Sequence, residues 1–185
     1  MKTWTATATA QAQPAAVLDV LTDPDAAARW APVPFDVEDD RRLTAGRTVR
    51  VSGRLAGRRV GFDVLVHSAD VHGFALTARG PVGFDVDYRI VGTTLSEGFP
   101  DGTLAPHAVG SEVHASVSVR PTRGLAGRLL AEATTALLNA GALDQTLQRL
   151  VDEARESALW ADLPATRGRR PSRRPRLTRE AAATV

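Results

Sequence analysis

Between Phe35 and Arg120 apolar residues recur at every second position almost throughout, a regularity that rules out most of the folds open to a chain of 185 residues. Phe35 and Val37 alternate with Asp36 and Glu38. Val49, Val51 and Leu55 alternate with Arg50, Ser52 and Arg54. Val60, Phe62, Val64 and Val66 lead through a turn predicted at Ser68 to Asp70 into Phe74, Leu76 and Ala78. Phe84, Val86, Tyr88 and Ile90 then alternate with Asp85, Asp87 and Arg89, and Val113, Ala115, Val117 and Val119 with His114, Ser116, Ser118 and Arg120. Successive side chains of a strand point to opposite faces, so this pattern describes antiparallel strands with one apolar and one wet face. Gly57, Gly73 and the Gly80 to Gly83 segment fall where hairpins need turns.

An apolar sheet face needs a cover, and the segment from Gly124 to Trp160 supplies one. Leu130, Ala133, Leu137, Gly141, Leu143, Leu147, Leu150, Val151 and Ala154 fall on one side at helical spacing. A single helix of about thirty residues would run roughly 45 Å, enough to cross a small domain. Gly141 costs such a helix about 1 kcal/mol relative to alanine. Around it the stripe changes phase and brings Asp144 near the first half of the stripe, where a cavity acid is one reading and a solvated residue the other. The half from Leu130 to Gly141 reads as a cavity lid, and the half from Leu143 to Ala154 as a structural clamp.

At the other end, Thr3 to Gln11 alternates threonine with Trp4, Ala6, Ala8 and Ala10, a strand pattern. Pro14 suits the first turn of a helix with Val17, Leu18 and Leu21 on its apolar face. Asp23-Pro24-Asp25 reads as a cap, a proline at the first helical position and an acid in the first turn of a second short helix ending at Trp30. The connection from Gly92 to Gly110 is long for a hairpin. It reads either as a lid or as an extension of two strands.

Composition sets limits. With no cysteine, disulfides and thiolate chemistry are excluded. His67, His72, His107 and His114 show no metal-binding spacing, so no metal is expected. Residues 164–185 hold seven arginines and one acid, a net of +6, which leaves 16 bases and 20 acids, −4, on the other 163 residues. The domains are therefore 1–160, folded, and 161–185, an arginine- and proline-rich tail expected to be disordered. That tail is a solubilising extension, or a weak contact for anionic lipid or nucleic acid. No stretch has the length of a membrane span, and a cytoplasmic location is expected.

The element order, together with Asp23-Pro-Asp, Trp30-Ala-Pro, Gly80-Pro-Val-Gly-Phe, Tyr88 and the leucine-rich closing helix, resembles the polyketide cyclase/dehydrase and START-like (SRPBCC) superfamily over roughly residues 3–158. The resemblance implies an α+β, Bet v 1-like helix-grip fold: a curved seven-stranded antiparallel sheet around a long C-terminal helix, with two short helices after the first strand and an apolar cavity between sheet and helix. Members bind lipids, sterols, polyketides or hormones, and some catalyse cyclisation, dehydration or hydrolysis.

If the apolar strand faces line such a cavity, its wall is Val51, Phe62 and Val64, then Phe74 and Leu76, then Phe84, Val86 and Tyr88, with Val117 beyond. Leu130, Thr134, Leu137, Leu138 and Gly141 close it from the helix, with Trp30 at one end. The other reading is that these residues pack on one another as core. A buried Tyr88 hydroxyl needs a partner: a ligand oxygen, the backbone or Thr134. Asp63, Asp85 and Asp87 fall on the wet face, paired with Arg50, Arg54 or Arg89, and His114 also points outward. No catalytic residue and no cofactor are nominated. The leading expectation is carriage of a small hydrophobic molecule, lipid or polyketide-like. The alternatives are a polyketide aromatase/cyclase acting on a cavity-bound substrate, and an interaction scaffold without a cavity.

Overall fold

The computed structural model describes residues 2–32, 35–55, 57–95, 108–121 and 124–161. In chain order these form β1 (Lys2–Ala10), α1 (Pro14–Thr22), α2 (Pro24–Trp30), β2 (Phe35–Val37), β3 (Thr48–Leu55), β4 (Arg58–Asp70), β5 (Gly73–Arg79), β6 (Val82–Leu95), β7 (Ala108–Pro121), α3 (Leu125–Asn139) and α4 (Ala142–Ala161). The strands make one antiparallel sheet in the order β1-β7-β6-β5-β4-β3-β2, a meander closed by the first strand pairing with the last.

Register puts the alternating residues in rows. Leu76, Val86, Val117 and Trp4 stand side by side across β5, β6, β7 and β1, and Phe74, Tyr88, Ala115 and Ala6 form the next row. These rows make the inner face. The outer face is polar and largely self-satisfied: Thr3 and Ser118 hydroxyls meet at 2.7 Å, and His114 Nδ1 lies 3.1 Å from the Thr7 hydroxyl. Asp63 lies 3.6 Å from Arg50, as the alternation suggests. Asp85 instead takes Arg120, at 2.5 Å without hydrogen-bond alignment, because β7 and not β6 brings the cation beside it, and Asp87 has no ion pair among the described residues.

Two details of the sheet depart from the sequence reading. The turn expected at Ser68 to Asp70 lies two residues later, at Val71 and His72, where the Asp70 carboxylate accepts the His72 backbone N–H at 2.8 Å. The displacement comes from a bulge between Val66 and Ser68, which inserts one residue into β4 and bends it. Between Gly92 and Gly110, the described part is strand extension, with pairing continuing to Leu95 and Ala108. Residues 96–107, and with them the lid alternative, lie outside the described residues, as do residues 162–185 and the tail expected there.

The largest departure is in the covering helix, which is two helices. Gly141 has φ +85°, a left-handed conformation that glycine adopts without a Cβ clash. Its N–H donates to Leu138 O at 3.2 Å, closing α3, and its carbonyl accepts the Gln145 N–H at 3.1 Å, opening α4. The phase change of the apolar stripe thus follows from a change of helix axis.

The two helices cover different ground. α4 lies on β1 and α1, burying Leu143, Leu147, Leu150, Val151 and Ala154 against the Ala6, Ala8 and Ala10 row and against Val17 and Leu21. The small β1 side chains let the helix approach closely. α3 rests on β6 and β7, where Leu130 and Ala131 join Val60, Val82 and Val119 in a second, smaller apolar cluster. Apart from Val60 at the start of β4, the inner face of β3, β4 and β5 has neither helix packed on it.

Candidate functional site

That stretch of sheet, together with the adjoining residues of β6 and β7, floors a cavity of about 460 Å³, bounded by α2 and β2 on one flank and the α3–α4 corner on the other. Such a volume falls within the usual range of small-molecule sites, about 300–1,000 Å³. The floor is Val49, Val51, Val64, Phe74, Leu76, Phe84, Val86, Tyr88 and Val117, all from alternating positions of their strands. Trp30 closes one end, its ring meeting Tyr88 edge-on with centroids 6.4 Å apart. Thr134, Leu137 and Leu138 reach it from α3, with Leu137 46% exposed at the rim.

Twelve of the fifteen residues nominated from the sequence therefore border one space, and Phe62, Leu130 and Gly141 do not. Phe62 turns into the second cluster and onto Phe84, ring centroids 5.6 Å apart, and a Cβ on Gly80 would lie 2.6 Å from its ring. Leu130 is spent in that same cluster. Gly141 sits at the helix corner, where its role is conformational and not one of lining.

The sequence reading missed the flanks. Leu21, Pro24, Ala27, Ala31, Pro32, Phe35, Val37 and Leu43 line the cavity from the short helices and the segment after them. From α4 come Ala142, Leu143, Gln145, Thr146 and Arg149, so the half read as a clamp also lines the space. Ala142, Gln145, Thr146 and Arg149 stand at i, i+3, i+4 and i+7, one helical stripe. Restarting the helical count at Gly141 would have found it.

The polar groups on this wall are few. The Thr134 hydroxyl donates to Leu130 O at 2.8 Å and the Thr146 hydroxyl to Ala142 O at 2.6 Å, so both protons are engaged within their own helices. Tyr88 differs: among the described residues its hydroxyl has no hydrogen-bond partner, neither Thr134 nor the backbone serving as one. Burial holds that phenol well above its ordinary pKa, so it is a neutral donor throughout the range in which the protein would work. Asp144 is exposed in the first turn of α4, a favourable place for an acid beside the helix N-terminus, and does not enter the cavity. Among the described residues no cluster of side chains could hold a metal ion, and the described cavity wall contains no carboxylate, imidazole or lysine.

With this geometry the chain has a helix-grip fold, a seven-stranded antiparallel sheet with its C-terminal helices laid across one face. Solved structures with the same architecture include a protein from Thermus thermophilus, 15% identical with a TM-score of 0.57, the match covering 87% of this chain and 99% of that one. A protein from Chromobacterium violaceum is 13% identical with a TM-score of 0.56, over 84% of this chain and 99% of that one. The Zhui aromatase/cyclase from a Streptomyces species is 18% identical with a TM-score of 0.55, over 83% and 93%. No protein-family model and no curated protein sequence matches the chain. At these identities the likeness is one of fold.

Proposed function

We propose that this protein binds and carries a small hydrophobic molecule in the space between β3–β6 and the α3–α4 corner. The observation that supports this reading is the cavity itself, about 460 Å³ walled mostly by apolar side chains, with the Tyr88 hydroxyl, which bonds to no described residue, on its floor. Apolar burial supplies the affinity, and a ligand oxygen that reaches the Tyr88 hydroxyl is oriented by it. A scaffold that only presents its surface has no use for such a space.

The aromatase/cyclase reading is less well supported. Ring closure by aldol chemistry requires a group to remove a proton next to a carbonyl, and the described wall offers no carboxylate or imidazole within it to do so. The fold of a neighbouring aromatase/cyclase does not supply that base.

Native mass spectrometry of the recombinant protein tests carriage. A retained apolar molecule, or a rise in thermal midpoint with an added medium-chain alcohol, is the expected result, since a ligand that binds only the folded state stabilises it. An empty protein that no apolar compound stabilises would rule carriage out. A contact of the arginine-rich segment with anionic lipid or nucleic acid is a separate proposal. Deleting residues 165–185 and finding unchanged binding to anionic vesicles and DNA at low salt would dispose of it.

A further inference from the structure

At the rim of the cavity stands a cation without an anion. Arg149, on the second turn of α4, lines the wall and makes no hydrogen bond or ion pair with any described residue. Its natural helical partner, Glu153 at i+4, is already held from the opposite flank: Arg29 of α2 donates to Glu153 Oε1 from Nε at 2.8 Å and from Nη2 at 2.5 Å. Asp152, at i+3, is exposed and unpaired with it as well. One turn before Arg149, Gln145 borders the same wall, and its side-chain amide likewise makes no hydrogen bond with any described residue. Two unengaged polar groups thus stand one helical turn apart, where an otherwise apolar cavity meets solvent.

We propose that the ligand carries a carboxylate, which Arg149 and Gln145 receive at the rim while its apolar body fills the cavity; this rests on the carriage reading. A guanidinium presents parallel N–H groups that match the two oxygens of a carboxylate, and a charge-assisted pair is about twice as strong as a neutral one. One cation balances one negative charge. A phosphate dianion would leave excess charge against an apolar wall, and a cationic head would be repelled. Because Arg149 is exposed, the head group keeps part of its hydration, so the pair avoids the desolvation cost of a buried one. The arginine stem meanwhile covers apolar surface at the rim.

The test compares three probes of one chain length, decanoate, decan-1-ol and decylamine, titrated calorimetrically into the full chain at neutral pH. Decanoate binds about tenfold more tightly than decan-1-ol, and decylamine most weakly. Arg149→Gln removes about that tenfold preference and leaves decan-1-ol affinity within about twofold, which also reports that the variant is folded. Arg29→Ala releases Glu153 to pair with Arg149 and weakens decanoate in the same direction. The basic C-terminal segment is identical in all these proteins, so the difference belongs to the rim. Equal binding of decanoate and decan-1-ol, unchanged by Arg149→Gln, overturns the carboxylate head and leaves carriage standing. Binding of none of the three overturns carriage and this inference with it.

Discussion

The inner face of one sheet is treated in two ways. Over β1 the row of alanines accepts α4 in close contact, and Leu147, Leu150, Val17 and Ala154 are almost wholly removed from solvent. Over β3 to β5 the residues are larger, yet no C-terminal helix packs on them, and Val51 and Leu76 stay half-buried beside open space, as do Phe84 and Val86 on the neighbouring β6. Small residues under a helix make a filled core, and large residues without one make a binding wall. Side-chain size is therefore not what marks the cavity, since what decides is whether a helix lies over that part of the sheet.

Truncation should separate the two regions most sharply. Leu150→Ala, in the filled region, is expected to lower unfolding free energy by about 2–5 kcal/mol through lost burial and an unrelaxed void. Leu137→Ala, on the rim, should cost under about 1 kcal/mol, as surface truncations do. Urea denaturation of the pair decides it: similar losses would mean that the two halves of the covering segment are packed alike.

Filling comes next in size. Val86→Phe projects extra volume into the cavity, so it should lower affinity for decan-1-ol by about tenfold or more while changing stability by less than the roughly 1–3 kcal/mol that overpacking a filled core costs. A stability loss above that range with ligand binding intact would place Val86 in core.

The corner between the regions is probed by Gly141→Ala, expected to cost about 1–2 kcal/mol because a Cβ disfavours the left-handed conformation. Gly141→Asn should recover part of that loss in the same denaturation experiment. No loss with alanine would show that the helices can merge into one.

The smallest effect concerns Tyr88. Tyr88→Phe should change stability at neutral pH by within about 0.5 kcal/mol, since no described residue loses a bond. The difference appears in alkali. Burial raises this phenol's pKa in the folded state, so above about pH 10 the unfolded chain sheds a proton that the folded one keeps, and stability falls by up to about 1.4 kcal/mol per pH unit. Tyr88→Phe removes that slope. Because Tyr88 is the only tyrosine, tyrosinate absorbance reads the group directly and should appear only with unfolding.

Much of this arrangement could be read from the chain. Alternation located the strands and assigned inner and outer faces, because a buried face leaves its period in the sequence. Asp23 caps α2 through the Asp25 N–H at 2.9 Å, as its place before Pro24 suggests. What alternation cannot carry is an event that shifts register without changing composition, such as the bulge after Val66, or a close approach such as Phe62 on Gly80. The Gly141 break is present as a phase change, but an apolar stripe counted through it as one helix leaves the Ala142, Gln145, Thr146 and Arg149 stripe, and with it the only cation on the described cavity wall, out of view.

The Gly141 corner also sets a hierarchy of local opening. α4 is fastened along β1 and α1, whereas α3 is held chiefly by Leu130, Ala131 and Thr134 below and by Asn139 at its end, whose side-chain oxygen accepts from Lys2 Nζ at 2.9 Å and from Trp4 Nε1 at 3.0 Å. With no hydrogen-bonded helical ladder running unbroken through the corner, amide protons of α3 should exchange with solvent deuterium sooner than those of α4. With that order of exchange, opening of the helix that bears Leu137 and Leu138 would precede opening of α4, and access to the interior would become a property of one short segment's fluctuations.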